Sequence, residues 1–316
     1  MFQLYKSRDF SAYFHDTFTF LKQNGRHFFR NFFIVNGVFI LIIITISYYA
    51  FKFYQDIVIN NIIVNNDPNA ISNYFDQNLG SIIIFGSLAL LILIIVSILN
   101  YAYVPIYFKL FEKHQGQNFD SKEIFDELKN NIDKLIIYIL VSIPVGLVTM
   151  IAATIISLIL AVTIIGIPFI LLVIAVFSMF LHAALMEYLN TDKGIFECYG
   201  YGLNMCFQKF FPAMGTIALF LIIVSVFSTA ISIVQFIITS ILGITTLEDP
   251  NGFQTAIDSW SLQFVILFVL QMLSYVLNLL TSAVIQMNQG IIYYSLKEEK
   301  ENIHTKSTID EIGKGF

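Results

Sequence analysis

Five stretches of the chain contain no Asp, Glu, Lys or Arg: 31–51, 77–108, 135–186, 210–247 and 259–296. About 20 apolar residues cross the hydrocarbon core of a bilayer as a helix. The runs of 21, 32, 38 and 38 residues therefore supply one span each, and the run of 52 has room for two with a tight turn. A β-barrel would need alternation at every second residue within strands of about ten residues. A stretch such as Ile82 to Leu99 is instead apolar on every side. The expected fold class is all-α and integral to the membrane, with six transmembrane helices arranged as three hairpins.

Each hairpin is expected to follow an amphipathic interfacial helix. The first such stretch carries Phe10, Tyr13, Phe14, Thr17, Phe18 and Leu21 at helical spacing, the second Ile124, Phe125, Leu128 and Ile132, the third Ile195, Phe196, Tyr199, Leu203 and Phe207. One apolar stripe and a polar face, over a few turns too polar to span, suit a helix lying in the headgroup layer. Residues 9–30, 119–134 and 194–209 should each form one. Asp120 or Ser121, with Glu123 nearby, is the expected N-terminal cap of the second. Aromatic residues close each hairpin: Tyr101, Tyr103, Tyr107 and Phe108, then Tyr188, then Tyr293 and Tyr294. Tyr suits the interface, where its hydroxyl reaches water. Three copies of the same design follow, over 9–108, 119–189 and 193–296, within a single polytopic domain of residues 1–296. Residues 297–316 are left as a tail.

Composition narrows the class. Of 316 residues 57% are hydrophobic and only 12% charged, half the charged share of a soluble domain. That excludes a soluble enzyme, a secreted disulfide scaffold and a disordered chain. A net charge of −5 argues against nucleic acid as a partner. The charges also orient the chain. Sixteen of the 17 Lys and Arg lie before span one, between spans two and three, between four and five, or after span six, and Lys52 is the exception. The opposite connections carry acids such as Asp67, Asp76, Glu248 and Asp258. The positive-inside rule then puts both termini, and the tail, in the cytoplasm. No cleavable signal peptide is expected, the first span serving as targeting element, and Cys198 and Cys206 are expected to stay reduced. The abundance of Ile, Asn, Phe, Tyr and Lys points to an AT-rich bacterial genome, hence to a bacterial inner membrane.

The span order, the aromatic entry helices and the ending Gly290-Ile-Ile-Tyr-Tyr-Ser-Leu-Lys-Glu-Glu-Lys-Glu resemble an uncharacterised family of bacterial six-span inner-membrane proteins. Its members often carry the label beta-carotene 15,15'-monooxygenase. The chain is more distantly similar to the membrane domain found beside some glycerophosphoryl diester phosphodiesterases. The oxygenase label implies iron held by four histidines. Here His15, His27, His114 and His304 fall outside the spans, only His182 lies within one, and no pair has the i, i+3 or i, i+4 spacing of two ligands on one helix. The phosphodiesterase chemistry needs a barrel domain with clustered acids and histidines, for which no chain remains. No phosphate loop, nucleophile elbow or H-E-x-x-H occurs. No metal, no cofactor and no catalytic residue is expected.

Three features remain. His182 and Glu187, in and just below span four, are the ionisable groups nearest the hydrocarbon. Their position close to the interface predicts a neutral, hydrogen-bonded imidazole and a solvated carboxylate rather than a proton relay. Pro144, Gly146, Gly166 and Pro168 predict a mild kink and a turn rather than a broken transporter helix. Span six carries the clearest pattern: Gln271, Ser274, Asn278, Ser282, Gln286 and Gln289 occupy an arc of about 140°, opposite Val269, Leu273, Val276, Leu280, Val284 and Met287. An amide facing hydrocarbon costs several kcal/mol, so the stripe is expected to be shielded, as a hydrogen-bonded helix seam or as a polar groove. The expected function is a non-enzymatic scaffold, assembly or lipid-handling subunit whose partners are the bilayer and other membrane proteins. A transporter or channel for a small or amphipathic solute is the alternative, and an integral-membrane enzyme the third.

Overall fold

A computed structural model describes residues 2–53, 68–247 and 262–303. These form eight α-helices: α1 (Phe10–Phe53), α2 (Ala70–Lys113), α3 (Ser121–Asn130), α4 (Ile132–Ala161), α5 (Ile167–Asn190), α6 (Ile195–Phe207), α7 (Phe210–Leu247) and α8 (Leu262–Glu301). Six of them, α1, α2, α4, α5, α7 and α8, are long and apolar enough to cross a membrane. The chain is an all-α, multi-span membrane protein. Most of the two long connections, and the tail from residue 304, lie outside the described residues.

Local sequence explains where the helices start and stop. Asp120 caps α3, its carboxylate accepting the backbone N–H groups of Lys122 and Glu123, as expected of an N-cap acid. α3 ends at Asn131, whose φ of −111° and ψ of 18° leave the helix before α4 begins. α6 is separated from α7 by Gln208 in extended conformation and by Lys209 at a φ of 43°. The stretch over 9–30 differs from these two. It is continuous with span one in a 44-residue α1. No proline interrupts it, and Gly25 and Gly37 cost only about 1 kcal/mol each in a helix interior, too little to break a ladder with good formers on both sides. α4 runs through Pro144 without a break. A 3₁₀ turn over Ile164–Gly166, with Thr163 Oγ1 accepting the Gly166 N–H, joins it to α5.

At 44 residues, α1 and α2 are about 66 Å long, twice the roughly 30 Å of the hydrocarbon core. The chain divides into two compact units, one of residues 1–35, 98–224 and 281–316, the other of residues 36–97 and 225–280. The first unit contains most of the buried side chains. Phe20, Phe28 and Phe32 of α1 meet Tyr103 and Tyr107 of α2 in a run of edge-to-face contacts such as Phe28–Tyr107 at 4.8 Å, the arrangement ring quadrupoles favour. The Tyr103 hydroxyl donates to the Phe28 carbonyl at 2.6 Å. The closing tyrosines Tyr103, Tyr107, Tyr293 and Tyr294 are therefore core residues, fully buried, and not rings with hydroxyls in water. The sequence places them by depth alone, and helices that outrun the span pack these ends together. Gly290 permits this packing: a Cβ there would stand 2.6 Å from the Phe108 ring.

In the second unit, α2 exposes Ile83, Ile84, Phe85, Leu88, Leu90 and Leu91 around its circumference, as an apolar helix facing lipid does. α7 and α8 are joined by Gln235, whose amide donates to the Leu270 carbonyl at 3.1 Å and to Ser274 Oγ at 2.8 Å. Ser47, Phe51, Gln235, Gln271 and Tyr275 border a groove of about 590 Å³.

Candidate functional site

The densest ionic cluster in the described chain gathers around Glu187 in the last turn of α5. The helix ends at Thr191, whose hydroxyl donates to the Glu187 carbonyl, and Lys134 of α4 donates to the carbonyls of Tyr188 and Thr191. A lysine there satisfies the open carbonyls of a helix end and complements its dipole. The chain then turns through Lys193 into α6. Lys193 Nζ lies 2.5 Å from Glu187 Oε1, while Lys297 Nζ, at 2.9 Å, and the Tyr293 hydroxyl, at 2.5 Å, both donate to Oε2. Tyr293 and Lys297 are four residues apart on α8 and so share a face. Lys297 also donates to the Tyr293 hydroxyl at 3.1 Å. Tyr201 of α6 completes the arrangement. Lys193 and Lys300 lie 4.4 and 4.2 Å from its ring centre, within cation–π range, and its hydroxyl donates to Glu301.

The electrostatics follow from this geometry. Burial acts to lower the Lys193 pKa, but the hydrogen bond and charge of Glu187 hold the ammonium above its ordinary range. Burial and the hydrogen bond to Glu301 push the Tyr201 phenol up. Both Glu187 oxygens are engaged by donors, so the carboxylate is a junction between α5, the turn into α6 and α8. It is not solvated: its side chain is fully buried, because α8 runs on to residue 301 and packs over the α5 end. Depth along a single helix could not reveal that cover. The i, i+4 pair Tyr293 and Lys297 was the signal available in the sequence, and Lys193 and Tyr201 had none.

His182 is also fully buried, but neither ring nitrogen finds a partner among the described residues. This departs from the expected hydrogen-bonded imidazole. Its ring meets Tyr101 edge-on at 5.8 Å. Tyr101 stacks on Tyr138, which stacks on Tyr199. The Tyr138 hydroxyl is taken up by the Leu181 carbonyl at 2.7 Å, and Tyr199 shares a hydrogen bond with Ser142. Aromatic packing has thus occupied the surroundings of the ring.

The polar stripe of α8 divides into different environments. Gln289 is buried and donates to Ser178 of α5 at 2.6 Å, and Ser274 accepts from Gln235 of α7. Both are interhelical hydrogen bonds of the seam kind. Gln286 is buried and donates to Ser282 one turn earlier. Gln271, Asn278 and Ser282 are exposed on this chain, and Asn278 donates to the Ser274 carbonyl of its own helix. The opposite arc divides as well: Val269 and Leu273 are exposed, whereas Met287 is fully buried. From residue 286 to 297 α8 is buried on every face, so the stripe and its apolar counterpart lose their distinction there.

Two further ties were not anticipated. Arg8 is nearly fully buried. Its guanidinium donates to the carbonyls of Gln3, Leu4 and Lys6 and to Asp16, drawing the N-terminal segment onto α1. Lys109 pairs with Glu127 at 2.6 Å and His114 with Glu123 at 2.9 Å, which docks α3 on the end of α2. Among the described residues no three His, Cys, Asp or Glu side chains stand close enough to share a metal ion. No family model, no curated protein and no solved structure matches the chain.

Proposed function

We propose that this is a non-enzymatic scaffold or lipid-handling subunit of a bacterial inner membrane, with both termini cytoplasmic. The resemblance to the six-span inner-membrane family belongs to the same proposal. The observation that carries it is the outer face of α6. One side of this helix is buried through Cys198, Tyr199, Tyr201, Met205 and Cys206. The other exposes Phe196 at 73% and Phe207 at 65%, with Leu203 between them. At 100° per residue these three lie within about 40° of one another. The row leads into Phe211, 69% exposed, at the start of α7. Large aromatic side chains outside the protein core, next to the first turn of a span, fit the boundary between headgroups and acyl chains. α3 and α6 are, on this reading, the interfacial helices of the second and third hairpins, whereas the N-terminal part of α1 is continuous with span one.

The test uses the single tryptophan, Trp260. In a Trp260→Phe background, Phe207→Trp fluorescence is expected to be quenched by lipids brominated near the top of the acyl chain, and less by those brominated near its end. Emission insensitive to both lipids would overturn the reading. Orientation needs introduced cysteines, because the native pair cannot report it. Cys198 and Cys206 are fully buried, and burial pushes their thiols up to about 11 and about 12, which suppresses the reactive thiolate on either side of a membrane. Asp192→Cys, at an exposed position, is expected to resist an impermeant maleimide in intact cells and to react once they are opened. Asn251→Cys should react in intact cells, and the reverse pattern would invert the topology.

The groove bordered by Gln235, Gln271 and Tyr275 favours the alternative, a transporter or channel for an amphipathic solute. Thermal stabilisation by a solute that disappears in Gln271→Leu would support that reading, whereas a stably associated membrane protein would support the scaffold.

A further inference from the structure

Six lysines and arginines of the first unit are tied down by side-chain or backbone oxygens. Arg8, Lys109, Lys134, Lys193, Lys209 and Lys297 all hold carboxylates or backbone carbonyls. Lys22, Arg26 and Arg30 of α1 differ. All three are exposed, and none has an acidic partner among the described residues. They follow one another at four-residue steps, so the row turns by only about 40° per step and extends about 12 Å along the helix. α1 is continuous through this region and onward into span one, so the row has a fixed register with the apolar segment. The charge-free run begins at residue 31, and Phe33 and Ile34, one turn beyond Arg30, are exposed.

Depth follows from helical rise. Arg30 lies about 1.5 Å and Arg26 about 7.5 Å from the start of the apolar run, and the headgroup layer is roughly 5–8 Å thick. Lys22 is one turn further out, within reach of its flexible stem. We propose that Lys22, Arg26 and Arg30 form a binding surface for the phosphodiester headgroups of anionic phospholipids. Guanidinium groups suit this chemistry because their planar donors match two phosphate oxygens at once. Charge complementarity singles out this occupant: three unneutralised cations in one line, at headgroup depth, beside exposed apolar side chains that acyl chains cover. The proposal rests on the membrane-surface reading of this end of the chain but not on α6.

The test measures thermal stabilisation of the full chain in neutral detergent by dioctanoyl phosphatidylglycerol, dioctanoyl phosphatidylcholine and inorganic phosphate. Only the anionic lipid is expected to stabilise. In K22Q/R26Q/R30Q its half-saturating concentration should rise roughly fivefold per cation, on the order of 100-fold in all. K300Q/K306Q/K314Q removes the same charge from the end of α8 and the tail and should leave the value within about twofold. Should the first triple variant fail to accumulate, R26Q alone is expected to cost about fivefold. Equal weakening by both triple variants, or equal stabilisation of the parent by phosphatidylcholine or by phosphate, would overturn the proposal. Quenching of Phe207→Trp in the Trp260→Phe background is read separately in brominated lipid, and its absence with the lipid dependence intact counts against the α6 reading alone.

Discussion

Glu187→Ala lowers the unfolding free energy of the detergent-solubilised protein by about 3–5 kcal/mol, the cost of leaving a buried ion-pair partner without its counter-charge. The size follows from who can escape. Lys193, whose side chain is one-third exposed, can turn into water once the carboxylate is gone. Lys297 is 9% exposed and cannot, and Tyr293 loses the acceptor of its 2.5 Å hydrogen bond. Glu187→Gln should cost less, because an amide oxygen still accepts from Tyr293. The double variant Glu187→Ala, Lys297→Met should recover part of the loss, since it removes the stranded ammonium as well. Denaturant midpoints of the three variants are the measurement. An alanine variant within about 1 kcal/mol of the parent would mean that the junction is hydrated in solution and does not hold α5 to α8.

Gly202→Leu detaches α6 from α5. A Cβ at position 202 would lie 2.9 Å from the Phe180 carbonyl oxygen and 3.0 Å from the Ala184 nitrogen, both backbone atoms of α5. Backbone cannot rotate aside as a side chain can, so the helices must separate. Overpacking a tight contact costs about 1–3 kcal/mol and occasionally more, and leucine at a backbone-to-backbone contact belongs at the upper end. The cysteines supply the readout. Cys206 donates its thiol proton to the Val176 carbonyl of α5 and Cys198 to the Lys193 carbonyl, and both are fully buried. In the parent they are expected to be inert to thiol reagents under native conditions. In Gly202→Leu, Cys206 should label at low reagent concentration. An unlabelled, fully stable variant would show that the α5–α6 contact is looser than the glycine implies.

Much of the architecture was legible because it depends on local composition. The absence of charge over 31–51 or 210–247 sets the number of spans without reference to any neighbour, since the cost of a charge in hydrocarbon falls on each residue separately. A cap at Asp120 or Ser121 and a turn around Gly166 were readable for the same reason: the hydrogen bonds that form them, from Asp120 and from Thr163, close within three residues. The continuity of α1 was not readable, because amphipathic periodicity reports which face is apolar and not whether the helix bends before a span.

The sequence by itself determined that this chain crosses a membrane as helices, roughly where each helix enters, and that its basic residues collect at one set of connections. It did not determine the fate of those residues. Glu187 looked solvated, and Tyr103 and Tyr293 looked interfacial, when each was judged by its distance along its own helix. Only the tertiary structure decided that helices α1, α2, α5 and α8 continue past the apolar runs and pack there, burying the carboxylate between two lysines and enclosing the tyrosines. The physical reason is the range of the interactions. Hydropathy sums over neighbours in sequence, whereas the Glu187 junction joins residues 110 positions apart, and the energy of such a pair depends on solvent exclusion by elements that no local pattern encodes. That Lys22, Arg26 and Arg30 are exposed and meet no acidic partner among the described residues likewise depends on how the helices pack.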